Sequence, residues 1–196
     1  MNNLIKTEFL ENKISWKKSF LEGIPQDENG NNLPWITYGA INFLKNFTNK
    51  NISVFEFGCG SSTIFFAKNC KEVIALETNR IWQNLIIEKL KSLNLTAQIH
   101  LMSDGIANKN YEIFPQNFTK KFDLIVIDSI KRFACAQNSI NFLNDDGIII
   151  LDDSHRPNYK KIFNFFTENN FKATNFIGIE PGKLQLKQTT IFKKTS

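Results

Sequence analysis

Long apolar runs are missing from this 196-residue sequence. Those at positions 124–127 and 148–151 fall far short of the ~20 residues a membrane-spanning helix needs, so no membrane span is expected. Residues 1–13 have Lys6, Glu8 and Glu11 scattered through them and no continuous apolar core. They do not read as a secretory signal, and a cytoplasmic protein is expected. Cysteine is scarce: Cys59, Cys70 and Cys135 are odd in number and lack CxxC spacing, which argues against a disulfide framework or a zinc knuckle and for reduced thiols. Nor is charge of one sign concentrated. The 24 basic and 19 acidic residues leave +5, with lysine pairs at 17/18, 120/121, 160/161 and 193/194. A dedicated nucleic-acid binder would gather its cations along one element, so nucleic acid is not the expected partner.

What is present is the composition of a soluble globular protein, 42% hydrophobic and 22% charged, which excludes disorder and a fibrous fold. A chain of this size makes one domain and buries about 70% of its unfolded surface, so it needs neither disulfide nor metal to hold a core. Positions 52–57, 72–77, 97–102, 122–128 and 147–152 read as five strands. Those at 124–127 and 148–151 are apolar on consecutive positions and need cover on both faces, the mark of a parallel sheet. Helical patterns fill the gaps at 62–69, 79–93 and 133–143, the second with Ile81, Leu85, Ile86, Leu90 and Leu93 at helical spacing.

Strand and helix alternate, which predicts an α/β fold: a doubly wound, Rossmann-like, mostly parallel sheet with ligands at the carboxyl ends of its strands. A helix over 157–170 and strands over 172–179 and 186–193, around the turn Glu180-Pro181-Gly182-Lys183, close the sheet with a C-terminal antiparallel hairpin and bring it to seven strands. Upstream, 36–47 reads as a helix, 26–34 as a flexible loop and 1–20 as one amphipathic helix. The expected division is an N-terminal helical or lid segment, 1–34, and a single domain, 35–196.

The strongest chemical signal is Glu56-Phe57-Gly58-Cys59-Gly60-Ser61-Ser62, where a strand runs into glycines that open a helix. Gly58 and Gly60 let backbone approach a ligand, and the helix amino terminus offers free N–H groups. Glu77, at the end of the second strand, can accept hydrogen bonds from both ribose hydroxyls of a nucleoside. A dinucleotide fingerprint would need a third glycine where Thr63 stands, which weakens NAD. Glu56 sits awkwardly beside a pyrophosphate but suits a cofactor with an ammonium group, such as S-adenosylmethionine.

Through these residues, with Ser103-Asp104-Gly105, Phe122-Asp123-Leu124-Ile125-Val126-Ile127-Asp128 and the closing hairpin, the chain resembles the class I S-adenosylmethionine-dependent methyltransferases from about Trp35 onward. The resemblance implies that Gly58, Gly60, Ser61 and Ser62 wrap the cofactor's methionine part, that Glu77 holds its ribose and that Asp104 bonds its adenine amino group; Glu56 and Asp128 count with them as cofactor-binding candidates. Leu33-Pro34-Trp35-Ile36-Thr37-Tyr38, Trp82 and Thr189-Thr190-Ile191-Phe192 look like a little-characterised bacterial branch, for which no substrate is implied. Tyr38 and Trp82 read as packing or pocket wall, and His100 as a satisfied core residue.

A second constellation is Asp128, Lys131, Asp152 and Asp153 at the ends of adjacent parallel strands. Three converging carboxylates need a compensating cation, and hard oxygen ligands suit magnesium or calcium. The pattern is similar to that of catechol and caffeoyl-coenzyme A O-methyltransferases, with Asp153 where those enzymes have Asn. The resemblance implies a metal on Asp128, Asp152 and Asp153, Lys131 as general base, and His155 close enough for acid–base work. The competing reading has Asp128 bonding the cofactor loop or capping a turn, Asp152 and Asp153 capping the helix that begins near Pro157, and Lys131 pairing with one of them.

No Asn-Pro-Pro-Tyr-like run follows the fourth strand, no cysteine follows a proline and no Walker-type lysine follows the glycines. These absences disfavour amino methylation of adenine or glutamine, cysteine-dependent methylation of cytosine and triphosphate hydrolysis. The sequence reading is therefore an S-adenosylmethionine-dependent methyltransferase acting on oxygen of a small molecule or glycan, assisted by Mg2+ or Ca2+. A non-catalytic binding module of the same fold, an RNA methyltransferase and an NAD-dependent reductase stand as alternatives.

Overall fold

The computed structural model describes residues 3–195; of the expected N-terminal segment, residues 1 and 2 lie outside that range, as does position 196. Two helices open the chain, α1 (Asn3–Glu11) and α2 (Lys13–Glu22). The single helix expected over 1–20 is broken at Asn12, whose side-chain amide donates to the Glu8 carbonyl at 2.9 Å and so competes with the helical ladder. The loop at 26–34 is tied down rather than flexible: Asp27 Oδ1 accepts from the backbone N–H groups of Asn29 and Asn31 at 2.9 and 2.8 Å.

After α3 (Tyr38–Phe47) the alternation follows as expected: β1 (Ser53–Phe57), α4 (Ser61–Asn69), β2 (Glu72–Glu77), α5 (Arg80–Ser92), β3 (Gln98–Leu101), β4 (Phe122–Ile127), α6 (Arg132–Ser139), β5 (Leu143–Leu151), α7 (Lys160–Glu168), β6 (Phe171–Glu180) and β7 (Lys183–Lys194). The helix expected over 133–143 is shorter because Leu143 already pairs with Phe122 in the sheet, ahead of a register shift. That expected over 157–170 starts as a 3-10 turn, Pro157–Tyr159.

Within the described residues the seven strands form one sheet in the order β3-β2-β1-β4-β5-β7-β6. The first five are parallel, and β7 is antiparallel to both β5 and β6. The consecutive apolar residues of β4 explain how it is covered. Leu124 and Val126 pack with Ile41 and Leu44 of α3 and Phe66 of α4; Ile125 and Ile127 face the other way, with Cys135 of α6 and Ile162 and Phe166 of α7. All of these are buried, each aliphatic or aromatic side chain contributing about 1.5–3 kcal/mol. The N-terminal helices dock on the hairpin: Glu8 Oε2 accepts from Ile179 N–H at 2.6 Å, and Trp16 Nε1 donates to the Lys183 carbonyl at 3.1 Å.

Candidate functional site

Strand order reverses between β1 and β4, and a cavity of about 340 Å³ opens at the carboxyl ends of β1, β2 and β4. Doubly wound sheets take ligands at such switch points. Its floor is the glycine loop. Gly58 has φ +100°, and a Cβ there would stand 2.8 Å from the Asp128 carbonyl oxygen, so only glycine fits. Beside Gly60 a Cβ would meet no protein atom within 4 Å; that space belongs to the cavity, which Ser61 and Ser62 also line. Thr63, standing where a dinucleotide fingerprint has its third glycine, is fully buried and accepts the Gly60 N–H on Oγ1 at 3.0 Å.

Glu56 is the cavity's most unusual wall residue. It is 1% exposed, and its Oε2 has no hydrogen-bond partner. Burial pushes its pKa up to about 7, with the Ser62 and Thr63 hydroxyls pulling the other way and the Asp128 charge adding to the rise. An orphaned buried carboxyl costs stability and is rare unless a ligand completes it.

Glu77 closes the loop from the side of β2. Its Oε2 accepts the Cys59 N–H at 3.0 Å, and Oε1 accepts those of Thr78 and Asn79, both at 2.8 Å. Trp82 Nε1 donates to the Cys59 carbonyl at 2.6 Å, and the ring forms cavity wall.

The remaining sequence candidates divide. Asp128 lines the cavity, with Oδ1 2.6 Å from Arg132 Nη2. Asp104 is exposed on the turn after β3, where it accepts from the Asn108 amide, and lies outside the lining. Lys131 turns away: Nζ donates to the Asn108 carbonyl at 2.5 Å and to Glu112 Oε2 at 3.2 Å. His155 is exposed, its Nδ1 accepting the Gln188 N–H at 3.3 Å. Tyr38 is packed, with its hydroxyl 3.2 Å from Ser15 Oγ, and burial raises its pKa to about 12. His100 is not satisfied as expected: its ring packs against Phe114 and Phe118, and its Nε2 has no hydrogen-bond partner.

The convergence of Asp128, Asp152 and Asp153 on a metal is not what the side chains do. Among the described residues, no three His, Cys, Asp or Glu form a group that could hold a metal ion. Each carboxylate has a cation from the chain instead. Lys187 Nζ lies 2.8 Å from Asp153 Oδ1 and from Glu180 Oε2, and 3.5 Å from Asp152 Oδ2. Arg156 pairs with Asp153, and Arg132 Nη1 donates to the Asp152 carbonyl at 2.6 Å. Thr189 Oγ1 donates to Asp152 Oδ1 at 2.7 Å.

The three carboxylates hold the Lys187 ammonium well above its usual range, against its burial. Asp152, buried and the farthest of the three from Nζ, is pushed up, to about 7, by burial and then by Asp128. Burial alone would raise Asp153 too, but Lys187 and the two arginines hold it below its ordinary value. These residues do not fit a divalent ion. Nor do Asp152 and Asp153 cap the next helix, which starts without a side-chain cap.

Sequence reasoning missed Lys187, whose place in β7 carries no motif. The segment expected as helical or lid, 1–34, brings Ile24, Pro25 and Pro34 to the cavity wall beside Trp35, residues that the sequence did not single out as lining. Trp35 Nε1 donates to the Pro181 carbonyl at 3.1 Å, and Lys183 Nζ sits 4.3 Å from its ring centroid. The Pro-Trp pair was the available signal.

No protein-family model matches the chain, and no curated protein matches it. Solved structures do share its fold. A methyltransferase from Pyrococcus furiosus aligns with a TM-score of 0.61 at 16% identity over 97% of this chain and 98% of that one. Precorrin 8W decarboxylase from Methanobacterium thermoautotrophicum gives 0.60 at 14% over 89% and 98%. The O-methyltransferase TomG of Streptomyces achromogenes, involved in tomaymycin synthesis and solved with S-adenosylmethionine, gives 0.61 at 14% over 79% and 77%. At such identities the likeness is one of fold: a Rossmann-like sheet that this chain shares with solved methyltransferases and with a decarboxylase.

Proposed function

We propose that this chain, on its class I methyltransferase-like fold, is an S-adenosylmethionine-dependent methyltransferase with a small-molecule or glycan acceptor. Glu56 carries the reading. A buried carboxyl with an unpartnered oxygen facing a cavity calls for a cation, and a pyrophosphate in its place would be repelled. S-adenosylmethionine carries an ammonium group, and when bound it supplies an electrophilic methyl group.

The residues fit it. Glu56 would pair with the ammonium, and the open side of the 58–62 loop would take the amino-acid end. Glu77 would hold the ribose through Oε2, which accepts only the Cys59 N–H and keeps a lone pair, whereas Oε1 is taken up by the N–H groups of Thr78 and Asn79. Residues 24, 25, 34 and 35 wall the same cavity, and segment 1–34 would serve as its lid.

Of the sequence candidates for proton transfer, Asp128 alone borders the cavity, with Arg132 holding it in place. Asp128 would take the acceptor's proton. Oxygen was expected because of a metal. With lysine and arginine in the metal's place, no metal-assisted step is proposed.

Calorimetric titration of S-adenosylhomocysteine, with NAD as control, tests the reading. Micromolar binding of the first alone is expected. Binding of NAD alone, or of neither, refutes it.

A further inference from the structure

A second, larger cavity of about 540 Å³ lies on the same sheet edge, between the segment that follows β4 and the one that follows β5. Ser129 lines both cavities, so the wall between them is the short stretch after β4. The second cavity's chemistry is unlike the first's. Lys131, Arg132 and Lys161 face it, and Glu112 is the one acidic residue among its lining.

Two of these cations are already matched, Arg132 by Asp128 and Lys131 by Glu112. Lys161 is not: among the described residues it has no carboxylate partner, and its Nζ rests 4.4 Å from the centroid of the Phe133 ring. Arg132 likewise lies over Tyr159, 5.5 Å from the ring centroid. The cavity therefore holds a surplus positive charge beside apolar walls from Phe133 and Ile130.

We infer that this cavity receives the methyl acceptor, and that the acceptor is a small organic anion, a carboxylate or phosphate on an apolar body. The inference rests on the methyltransferase reading for the word acceptor; the anion site itself does not. Lys161 supplies the charge, its ammonium held at the cavity by the Phe133 ring and without a carboxylate partner among the described residues. Lys131, fixed by two acceptors, lines the wall at a set position. The shared wall at Ser129 brings an anion's far end towards the first cavity, as a group transfer between two bound molecules requires.

The test is calorimetry with phenyl phosphate as probe and benzyl alcohol as its uncharged control, on the full chain with and without saturating S-adenosylhomocysteine. Phenyl phosphate is expected to bind saturably in both states, more weakly as salt rises, and benzyl alcohol not to bind. Lys161→Glu, an exposed change on α7, should weaken phenyl phosphate at least tenfold.

The proposal is overturned if phenyl phosphate fails to bind, if it competes with S-adenosylhomocysteine for one site, or if Lys161→Glu leaves its affinity unchanged. Should phenyl phosphate bind in a Lys161-dependent way while S-adenosylhomocysteine does not bind at all, the anion site stands and the methyltransferase reading falls.

Discussion

Replacing Glu56 by glutamine separates the cost of the buried carboxyl from its use. Folded, this group titrates near 7 against an ordinary 4.5, which at 1.36 kcal/mol per pH unit makes ionising it cost about 3 kcal/mol. The sign follows from which state binds the proton. Between about 4.5 and 7 the folded chain keeps a proton that the unfolded chain has released, so stability falls as pH rises through that window, and the loss is complete above 7.

Glu56→Gln escapes this loss. The stability of the variant relative to wild type, from urea denaturation, should rise by about 3 kcal/mol between pH 4.5 and pH 8. Using the difference cancels Asp152, which titrates in the same range.

Ligand binding runs the other way. An ammonium pairs with the carboxylate only, so S-adenosylhomocysteine affinity should climb about tenfold per pH unit below 7 and level off above it, with proton release visible in buffers of different ionisation heat. In Glu56→Gln the pH dependence should vanish and affinity at pH 8 should drop by about 1.5–3 kcal/mol. A wild-type affinity that is flat from pH 5.5 to 8, or a variant that binds as tightly as wild type, would refute the reasoning.

Other substitutions probe the rest of the site. Glu77→Ala should weaken S-adenosylhomocysteine by about 1–3 kcal/mol, and the loss of its bonds to Cys59, Thr78 and Asn79 should show as faster amide exchange in the glycine loop. Gly58→Ala forces a Cβ against the Asp128 carbonyl at a positive φ, and a fall in stability of about 1–3 kcal/mol is expected in a thermal melt. Lys187→Met leaves Asp152, Asp153 and Glu180 without their shared cation and should cost about 3–5 kcal/mol. The wild-type melting temperature should not respond to chelator or to Mg2+; a chelator-sensitive wild type would overturn the account of these carboxylates.

The strands of this fold are legible because β4 and β5 are covered on both faces and so are apolar without interruption. The glycine loop is legible because Gly58 answers a steric need that no other residue meets. The local setting of Asp104 was not legible: β3 ends at Leu101, and Asp104 is exposed on the turn beyond it, where it accepts from the Asn108 amide. The carboxylates at the β5 end were read correctly as needing cations, but their source was hidden. Lys187 alternates along β7 like Lys183 and Lys193, and only the insertion of β7 beside β5 brings it to Asp152. That pairing, Leu151 with Thr190, is a property of topology and leaves no local trace in the sequence.

The same insertion has a consequence for biosynthesis. β7 is made after β6 yet lies between β5 and β6, so on the ribosome β5 keeps a bare, strongly apolar edge until residues up to Lys194 have emerged. During that interval Asp152 and Asp153 also stand without Lys187. The nascent protein therefore passes through a stage that is both sticky along one strand and electrostatically unbalanced at its end, and a single late strand relieves both conditions.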